Sequence, residues 1–284
     1  MFEITKKEIL APAIKLFKVS APEIAAKAQP GQFIILRMDE KGERIPLTIA
    51  DFDRDKGLLT LIFQEVGRST MELGELNEGD YIVDLVGPLG KPSEIQKFGR
   101  VICVGGGVGV APIYPITRAM KQAGNEVISI IGARTGDSLI LEQEMKQVSD
   151  KLYVVTDDGS YGMKGFVTTK LQEVLAEKKP DLIAAIGPLV MMKAVSEQTK
   201  PYQIKTVVSL NSIMVDGTGM CGACRVPVGD KTKFACVDGP EFDGHQVDWA
   251  IAAMRSRMFT DEEKTAVERY HHCAGGECQC QKAK

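Results

Sequence analysis

The chain has only 3 histidines in 284 residues, and no histidine stands near a serine or cysteine in a spacing that suggests nucleophilic catalysis. Neither charge dominates: 35 Lys and Arg against 38 Asp and Glu leave a net charge of -3, and no basic arm stands apart. Nothing in that balance calls for nucleic acid. Long apolar runs are missing as well. The first residues, Met1 to Glu8, lack the apolar core of a signal peptide, and the longest uncharged run, residues 101–117, is broken by four glycines and two prolines. A cytoplasmic protein without a membrane span is expected. Seven cysteines form an odd count, and their close spacing suits reduced thiols better than a disulfide framework.

Glycine and cysteine come together in one stretch, Asp216-Gly217-Thr218-Gly219-Met220-Cys221-Gly222-Ala223-Cys224, with Cys236 further on. Plant-type 2Fe-2S clusters use Cys-x4-Cys-x2-Cys and a distant fourth Cys, because a glycine-rich loop has to wrap two irons with anionic ligands. Here the spacing is kept with a carboxylate in the first position. Asp216, Cys221, Cys224 and Cys236 are therefore read as cluster ligands. Two plainer readings stand beside this one: a structural zinc site of three thiolates and a carboxylate, and reduced cysteines with no metal. Zinc knuckles usually pair Cys-x2-Cys with a second close pair, which Cys236 lacks.

Residues 1–98 read as short strands at 2–10, 14–19, 32–38, 58–66 and 81–86, punctuated by turns such as Pro30-Gly31 and Gly87-Pro88-Leu89-Gly90. That pattern predicts an antiparallel barrel. One helix interrupts it. Ser69-Thr70-Met71-Glu72 predicts an N-cap at Ser69 answered by Glu72, a helix start that would offer free N–H groups to an anion. Residues 99–210 alternate apolar strands with amphipathic helices, which predicts a doubly wound parallel sheet with ligands at the carboxyl ends of its strands. Three loops fall there: Gly105-Gly106-Gly107-Val108-Gly109, the segment from Asp157 to Gly162, and Gly187-Pro188-Leu189. The acidic residue expected after the second strand is replaced by Arg134. Pro112 suits the first turn of a helix with Ile113, Ile116 and Met120 inward, and Cys103 belongs in the core. Residues 211–245 form the cluster segment, and 246–284 a C-terminal extension. That extension predicts one helix over 247–270, His245 in a surface loop, and a tail whose His271, His272, Cys273, Cys278 and Cys280 are possible metal ligands.

These motifs together resemble the ferredoxin-reductase superfamily across nearly the whole chain. Its carriers are Arg44-Ile45-Pro46-Leu47-Thr48, Val66-Gly67-Arg68-Ser69-Thr70, Gly87-Pro88-Leu89-Gly90, Gly105 to Pro112, Gly187-Pro188-Leu189-Val190-Met191-Met192 and the cluster segment. More narrowly the chain looks like the dihydroorotate dehydrogenase electron-transfer subunit and the small subunit of NADH-dependent reduced ferredoxin:NADP oxidoreductase. The resemblance implies an FAD-binding barrel in which Pro46, Leu47 and Thr48 line the isoalloxazine and Gly67, Ser69 and Thr70 meet the pyrophosphate. It implies an NAD-binding domain in which Gly105, Gly106, Gly107, Gly109, Gly187 and Pro188 flank the nicotinamide nucleotide. Asp157 joins that set. Asp157 and Asp158 disfavour the 2′-phosphate of NADP where they lie near it, and NAD is the expected form.

Two departures from the pattern matter. Arg44 sits one residue early and Leu47 replaces an aromatic in the superfamily's flavin motif. The dihydroorotate branch has Cys where this chain has Asp216, and the transhydrogenase-type small subunit is the better likeness there. The implied activity is hydride exchange between NAD(H) and FAD, then single electrons through the 2Fe-2S cluster to a larger subunit carrying its own FAD and 4Fe-4S clusters. Ferredoxin and NADP are reached through that partner. Competing readings are electron transfer to a dihydroorotate dehydrogenase, a redox-sensing flavin and iron–sulfur module without turnover, and a zinc-stabilised protein without flavin.

Overall fold

The structure, a computed structural model, describes residues 1–274. The N-terminal part contains β1 (Phe2–Ala11), β2 (Ile14–Ser20), the short α1 (Pro22–Lys27), β3 (Phe33–Arg37), β4 (Ile45–Asp53), β5 (Leu58–Gln64), α2 (Arg68–Glu75), β6 (Tyr81–Ile82) and β7 (Asp84–Leu89). Its strands pair antiparallel in the order β6-β1-β2-β5-β4-β3-β7. The two outermost strands are joined by Val83 alone, whose N–H bonds to Met38 O at 3.2 Å, so the sheet bends round into a nearly closed barrel. Ile4, Phe17, Ile34, Leu36, Leu59 and Leu61 fill its interior.

Strand β4 runs through the segment read as flavin motif, and Pro46 sits inside it. The ladder explains how a proline is tolerated. Ile49 donates to Gln32 O at 3.0 Å across to β3, so by alternation the nitrogen of Pro46 points to the other side. There β5 pairs only from Ile49 onward, and no ladder bond is lost.

The second part contains β8 (Arg100–Gly106), α3 (Val110–Gln122), β9 (Glu126–Ala133), α4 (Glu142–Gln147), β10 (Lys151–Thr156), β11 (Met163–Lys164), α5 (Val167–Glu177), β12 (Leu182–Ile186), α6 (Leu189–Thr199) and β13 (Lys205–Ser209). Every residue of β8 is buried, as a central strand of a sheet covered on both faces requires. The cluster segment and extension add β14 (Arg225–Val228), β15 (Lys231–Phe234), α7 (Ala235–Asp238), β16 (Glu241–Asp243), α8 (Trp249–Arg255) and α9 (Thr260–Ala274). The large sheet has the order β11-β10-β9-β8-β12-β13-β16. All its pairings are parallel except the last, where β16 lies antiparallel to β13. The expected architecture of barrel, parallel-sheet domain and small C-terminal module is the one observed.

Two apolar clusters weld these parts together. One side of the large sheet shares its core with the barrel residues Ala11, Ile14, Leu16, Ala50 and Ile62, and Arg118 of α3 pairs with Asp51 of β4 at 2.6 Å. The other side is continuous with Phe33 and Ile35 of the barrel and with Cys224, Val226, Ala235 and Cys236 of the C-terminal module.

Several expectations are corrected. The N-cap of α2 is Gly67 rather than Ser69, and Thr70 rather than Glu72 closes the cap: its hydroxyl accepts from the N–H groups of Gly67 and Val66, both at 3.1 Å. Glu72 instead pairs with Arg68 at 2.7 Å. The helix predicted over 247–270 is two, α8 and α9, separated by residues 256–259. His245 is half-buried, with Nε2 at 2.9 Å from the Thr199 hydroxyl. Cys103 is fully buried as expected, and burial pushes its thiol up to about 12. In the tail, His271 and His272 lie on the exposed end of α9, whereas Cys278 and Cys280 lie outside the described residues.

Candidate functional site

The flavin segment and the helix start come from β4 and α2. Pro46, Leu47 and Thr48 are half-buried on the β3 side of the barrel, paired with Ile35, Ile34 and Phe33. At Gly67 the α-carbon faces open space, with no atom within 4 Å of where a Cβ would stand. An open cradle at a helix N-terminus suits a phosphate, because the first N–H groups have no partner inside the helix. Thr70 spends its hydroxyl on the cap, and the Ser69 hydroxyl bonds the Glu43 carboxylate. What these two residues can offer an anion is therefore backbone and not side chain.

In the dinucleotide turn the glycines divide by role. A Cβ on Gly109 would lie 2.4 Å from Ile186 O and 2.7 Å from the α-carbon of Gly187, and one on Gly106 would lie 2.4 Å from the Met191 sulfur. Close approach of the β8 and β12 loops needs both. Gly107, with φ +56 and no atom within 4 Å of its Cβ position, is the member of the turn whose surface stays open. The structure thus brings Gly105 to Gly109 together with Gly187 and Pro188 at the carboxyl ends of β8 and β12, and the turn Gly107–Gly109 lies against β5 of the barrel. Asp157 and Arg134 are both exposed, at the ends of β10 and β9. They stand beyond β8 from Gly187, so that Asp157 belongs to the far end of the crevice.

The four predicted ligands form two pairs. Cys224 and Cys236, both buried, have their sulfurs 3.2 Å apart, and the Cys236 N–H points to the Cys224 sulfur at 3.4 Å. Burial, with the neighbouring Cys224, pushes the Cys236 thiol up to about 12. Asp216 and Cys221 form the second pair on the outer side. The carboxylate accepts from Thr218 N through Oδ1 and from Cys221 N through Oδ2, each at 2.8 Å. Those backbone bonds, Thr218 first, hold its acid strength above that of an ordinary aspartate. Cys221 is exposed.

Among the described residues no three Cys, His, Asp or Glu side chains gather around one point as a mononuclear ion would require. Two adjacent pairs are the donor arrangement of a binuclear centre, with two anionic ligands for each iron. The donor set therefore fits a 2Fe-2S cluster better than a lone zinc ion. The loop docks on the barrel: a Cβ on Gly217, which has φ +78, would stand 2.7 Å from both Ile35 and Leu89. A cavity of ≈ 240 Å³ links Gly187 and Pro188 to Asn211, Ala223, Arg225 and Arg255, and so joins the nucleotide turn to the cluster loop. Arg225 and Arg255 were not singled out by sequence. Arg225 directly follows a ligand cysteine, but Arg255 carries no local signal.

Comparison with known proteins agrees with this geometry. Residues 103–197 match the oxidoreductase NAD-binding domain, and residues 211–248 match the iron–sulfur cluster binding domain of dihydroorotate dehydrogenase B. A Thermotoga maritima homologue of the dihydroorotate dehydrogenase B (NAD(+)) electron transfer subunit is 50% identical, over 96% of this chain and 96% of its own length. A probable electron transfer subunit of that enzyme from Methanocaldococcus jannaschii is 37% identical, over 85% of this chain and 89% of that protein. The solved structure of NADH-dependent reduced ferredoxin-NADP oxidoreductase, described for flavin-based electron bifurcation, contains a chain of 48% identity. It superposes with a TM-score of 0.91 over 95% of this chain and 98% of the other. The chain therefore belongs to the family of dihydroorotate dehydrogenase B electron transfer subunits and their homologues, as an oxidoreductase subunit with an NAD-binding domain and an iron–sulfur domain on a ferredoxin-reductase fold.

Proposed function

We propose that this chain is the small, electron-transfer subunit of a flavin-based, bifurcating NADH-dependent reduced ferredoxin:NADP oxidoreductase. The observation that carries the reading is Asp216, a carboxylate in the first ligand position, fastened beside Cys221 by the Cys221 N–H at 2.8 Å. The likeness to the oxidoreductase of that name, over nearly the full length of both chains, supports it.

When bound, NAD(H) and FAD exchange a hydride and a 2Fe-2S cluster carries electrons one at a time, so a two-electron donor feeds one-electron traffic. The protein's task is positioning. Pro46, Leu47 and Thr48 line the flavin ring, and Gly67, Ser69 and Thr70 present the start of α2 to its pyrophosphate. Gly105, Gly106, Gly107, Gly109, Gly187 and Pro188 shape the crevice for the nicotinamide end, with Asp157 toward the adenosine end. Asp216, Cys221, Cys224 and Cys236 hold the cluster. No acid or base in the chain is required to move a proton, consistent with the absence of a histidine constellation.

The four regions act in sequence: residues 1–98 hold flavin, 99–210 hold the dinucleotide, 211–245 hold the cluster, and 246–284 face the partner. That partner is a larger flavin and 4Fe-4S subunit through which ferredoxin and NADP are reached, and the complex is cytoplasmic. Among the described residues no helix is long and apolar enough to cross a membrane. The second reading is electron transfer to a dihydroorotate dehydrogenase, favoured by the family of the iron–sulfur domain match. Anaerobic isolation of the complex with its natural partner, followed by flavin, iron and sulfide analysis, tests both. A large flavin and 4Fe-4S partner is expected. Co-purification of a dihydroorotate dehydrogenase would move the chain to the second reading, and colourless material without iron would reject both.

A further inference from the structure

Three arginines from three separate elements converge on the backbone of the cluster loop. Arg44, just ahead of β4, donates from Nε to Val215 O at 2.8 Å and from Nη2 to Asp216 O at 3.5 Å. Arg225, the first residue of β14, donates from Nη1 to Gly222 O at 3.1 Å. Arg255, the last residue of α8, donates from Nη2 to Ala223 O at 2.8 Å. The contrast with other arginines is informative. Arg37, Arg68, Arg100 and Arg118 each lie beside a carboxylate, whereas among the described residues none of these three does. A guanidinium stays charged at any relevant pH. Three positive charges without carboxylate partners are thus fixed by hydrogen bonds to the peptide groups on either side of the ligands Asp216, Cys221 and Cys224.

We propose that Arg44, Arg225 and Arg255 are positioning residues that set the reduction potential of the centre held by the loop. The inference rests on the reading that Asp216 to Cys236 hold a 2Fe-2S cluster. Uptake of one electron, lost by the reduced flavin, adds one negative charge within the loop, and no proton moves because the arginines are protonated before and after. Net charge, hydrogen bonding and solvent exposure around such a centre govern its potential. Cations held at fixed distance favour the more negative, reduced state and raise the potential. Arg44 has a second part in this. It precedes the strand that carries Pro46 to Thr48, so the residue displaced from the superfamily's flavin motif here ties the flavin strand to the cluster loop.

The test is an anaerobic redox titration followed by EPR, on the holoprotein and on Arg44→Gln, Arg225→Gln and Arg255→Gln, with the matching Lys variants. Iron, sulfide and FAD are measured on each. Each Gln variant is expected to keep its cofactors and to lower the potential, by up to about a tenfold change in the one-electron equilibrium, about 59 mV. The Lys variants should recover most of that change. Unchanged potentials in all three Gln variants with full cluster content would overturn the proposal, as would an equal fall in Gln and Lys variants. Where a Gln variant loses iron, the Lys variant decides: wild-type potential supports the charge role, and a lowered one removes it. Loss of FAD from Arg44→Gln with the potential unmoved would make Arg44 a flavin residue and remove it from the set. Wild-type protein without iron or sulfide would sink the cluster reading itself, an outcome distinct from intact clusters with unmoved potentials.

Discussion

At residues 105–109 and at residues 216–224 the chain uses glycine-rich turns under opposite regimes. The first turn is wedged: Gly106 and Gly109 face Met191, Ile186 and Gly187 at distances no side chain tolerates, and apolar residues of α3 lie beneath. The second is suspended. Most of its surface is exposed, and what holds it is a set of polar bonds, from the Asp216 carboxylate inside the loop and from Arg44, Arg225 and Arg255 outside it. A turn held by packing makes a rigid floor for a dissociable nucleotide. A turn held by hydrogen bonds places charges and donors where their identity tunes a permanently bound centre. Substitution in the first should therefore cost the fold, and in the second the chemistry.

The sharpest way to break this contrast is Gly109→Val. Overpacking of this kind typically costs about 1–3 kcal/mol, and with backbone atoms in the way the upper end is expected. Urea unfolding would read it, together with loss of NADH-driven flavin reduction. An undiminished midpoint would mean that the first turn is not wedged. Next in size is the suspended loop: Asp216→Ala should lose or destabilise the cluster, seen as lost iron, sulfide and visible absorption, while FAD and the unfolding midpoint of the barrel persist. Asp216→Cys should keep a cluster with an altered spectrum. Full 2Fe-2S absorption and EPR in the alanine variant would reject Asp216 as ligand.

A smaller effect is expected at the third seat, the start of α2, where one hydroxyl takes two backbone bonds. Thr70→Val should cost about 0.5–2 kcal/mol, the usual range for a lost N-cap, and should weaken FAD retention. The smallest concerns Glu241 on β16, which accepts from the Ser93 hydroxyl at 2.6 Å. Burial pushes its carboxyl up from the ordinary range, with the Ser93 bond opposing. The folded state then binds the proton more tightly than the unfolded chain. Its contribution is complete below the ordinary carboxylate range and is lost as pH rises through the raised value. Stability followed against pH should show this decline in the wild type and a flatter profile in Glu241→Gln; identical profiles would assign the slope elsewhere.

Sequence periodicity carried the large sheet well because its strands are buried on both faces and its helices are amphipathic: the helix over Val167–Glu177 and the strand over Leu182–Ile186 coincide with expectation. The barrel was less legible. Strand β4 escaped notice because Pro46 argues locally against a strand, and only the absence of β5 beyond Ile49 makes room for it. The helix start was misplaced by three positions' worth of competing signals, since Ser69 with Glu72 and Gly67 with Thr70 both satisfy the spacing, and the chain uses the second. The ligand spacing at Asp216, Cys221 and Cys224 is local and could be read directly. The arginine contacts are long-range, Arg44 reaching a carbonyl 171 positions away, and no window of sequence contains them.

Strand β16 gives the molecule a seam. Three residues that follow the last ligand cysteine return to cover the open edge of β13, with Val207, Val208 and Ser209 as their partners. A chain cut after Leu210 would leave that border of unsatisfied peptide groups bare, an invitation to association with other copies. The metal-binding module is thus stitched into the nucleotide domain, and the two should melt as one cooperative unit.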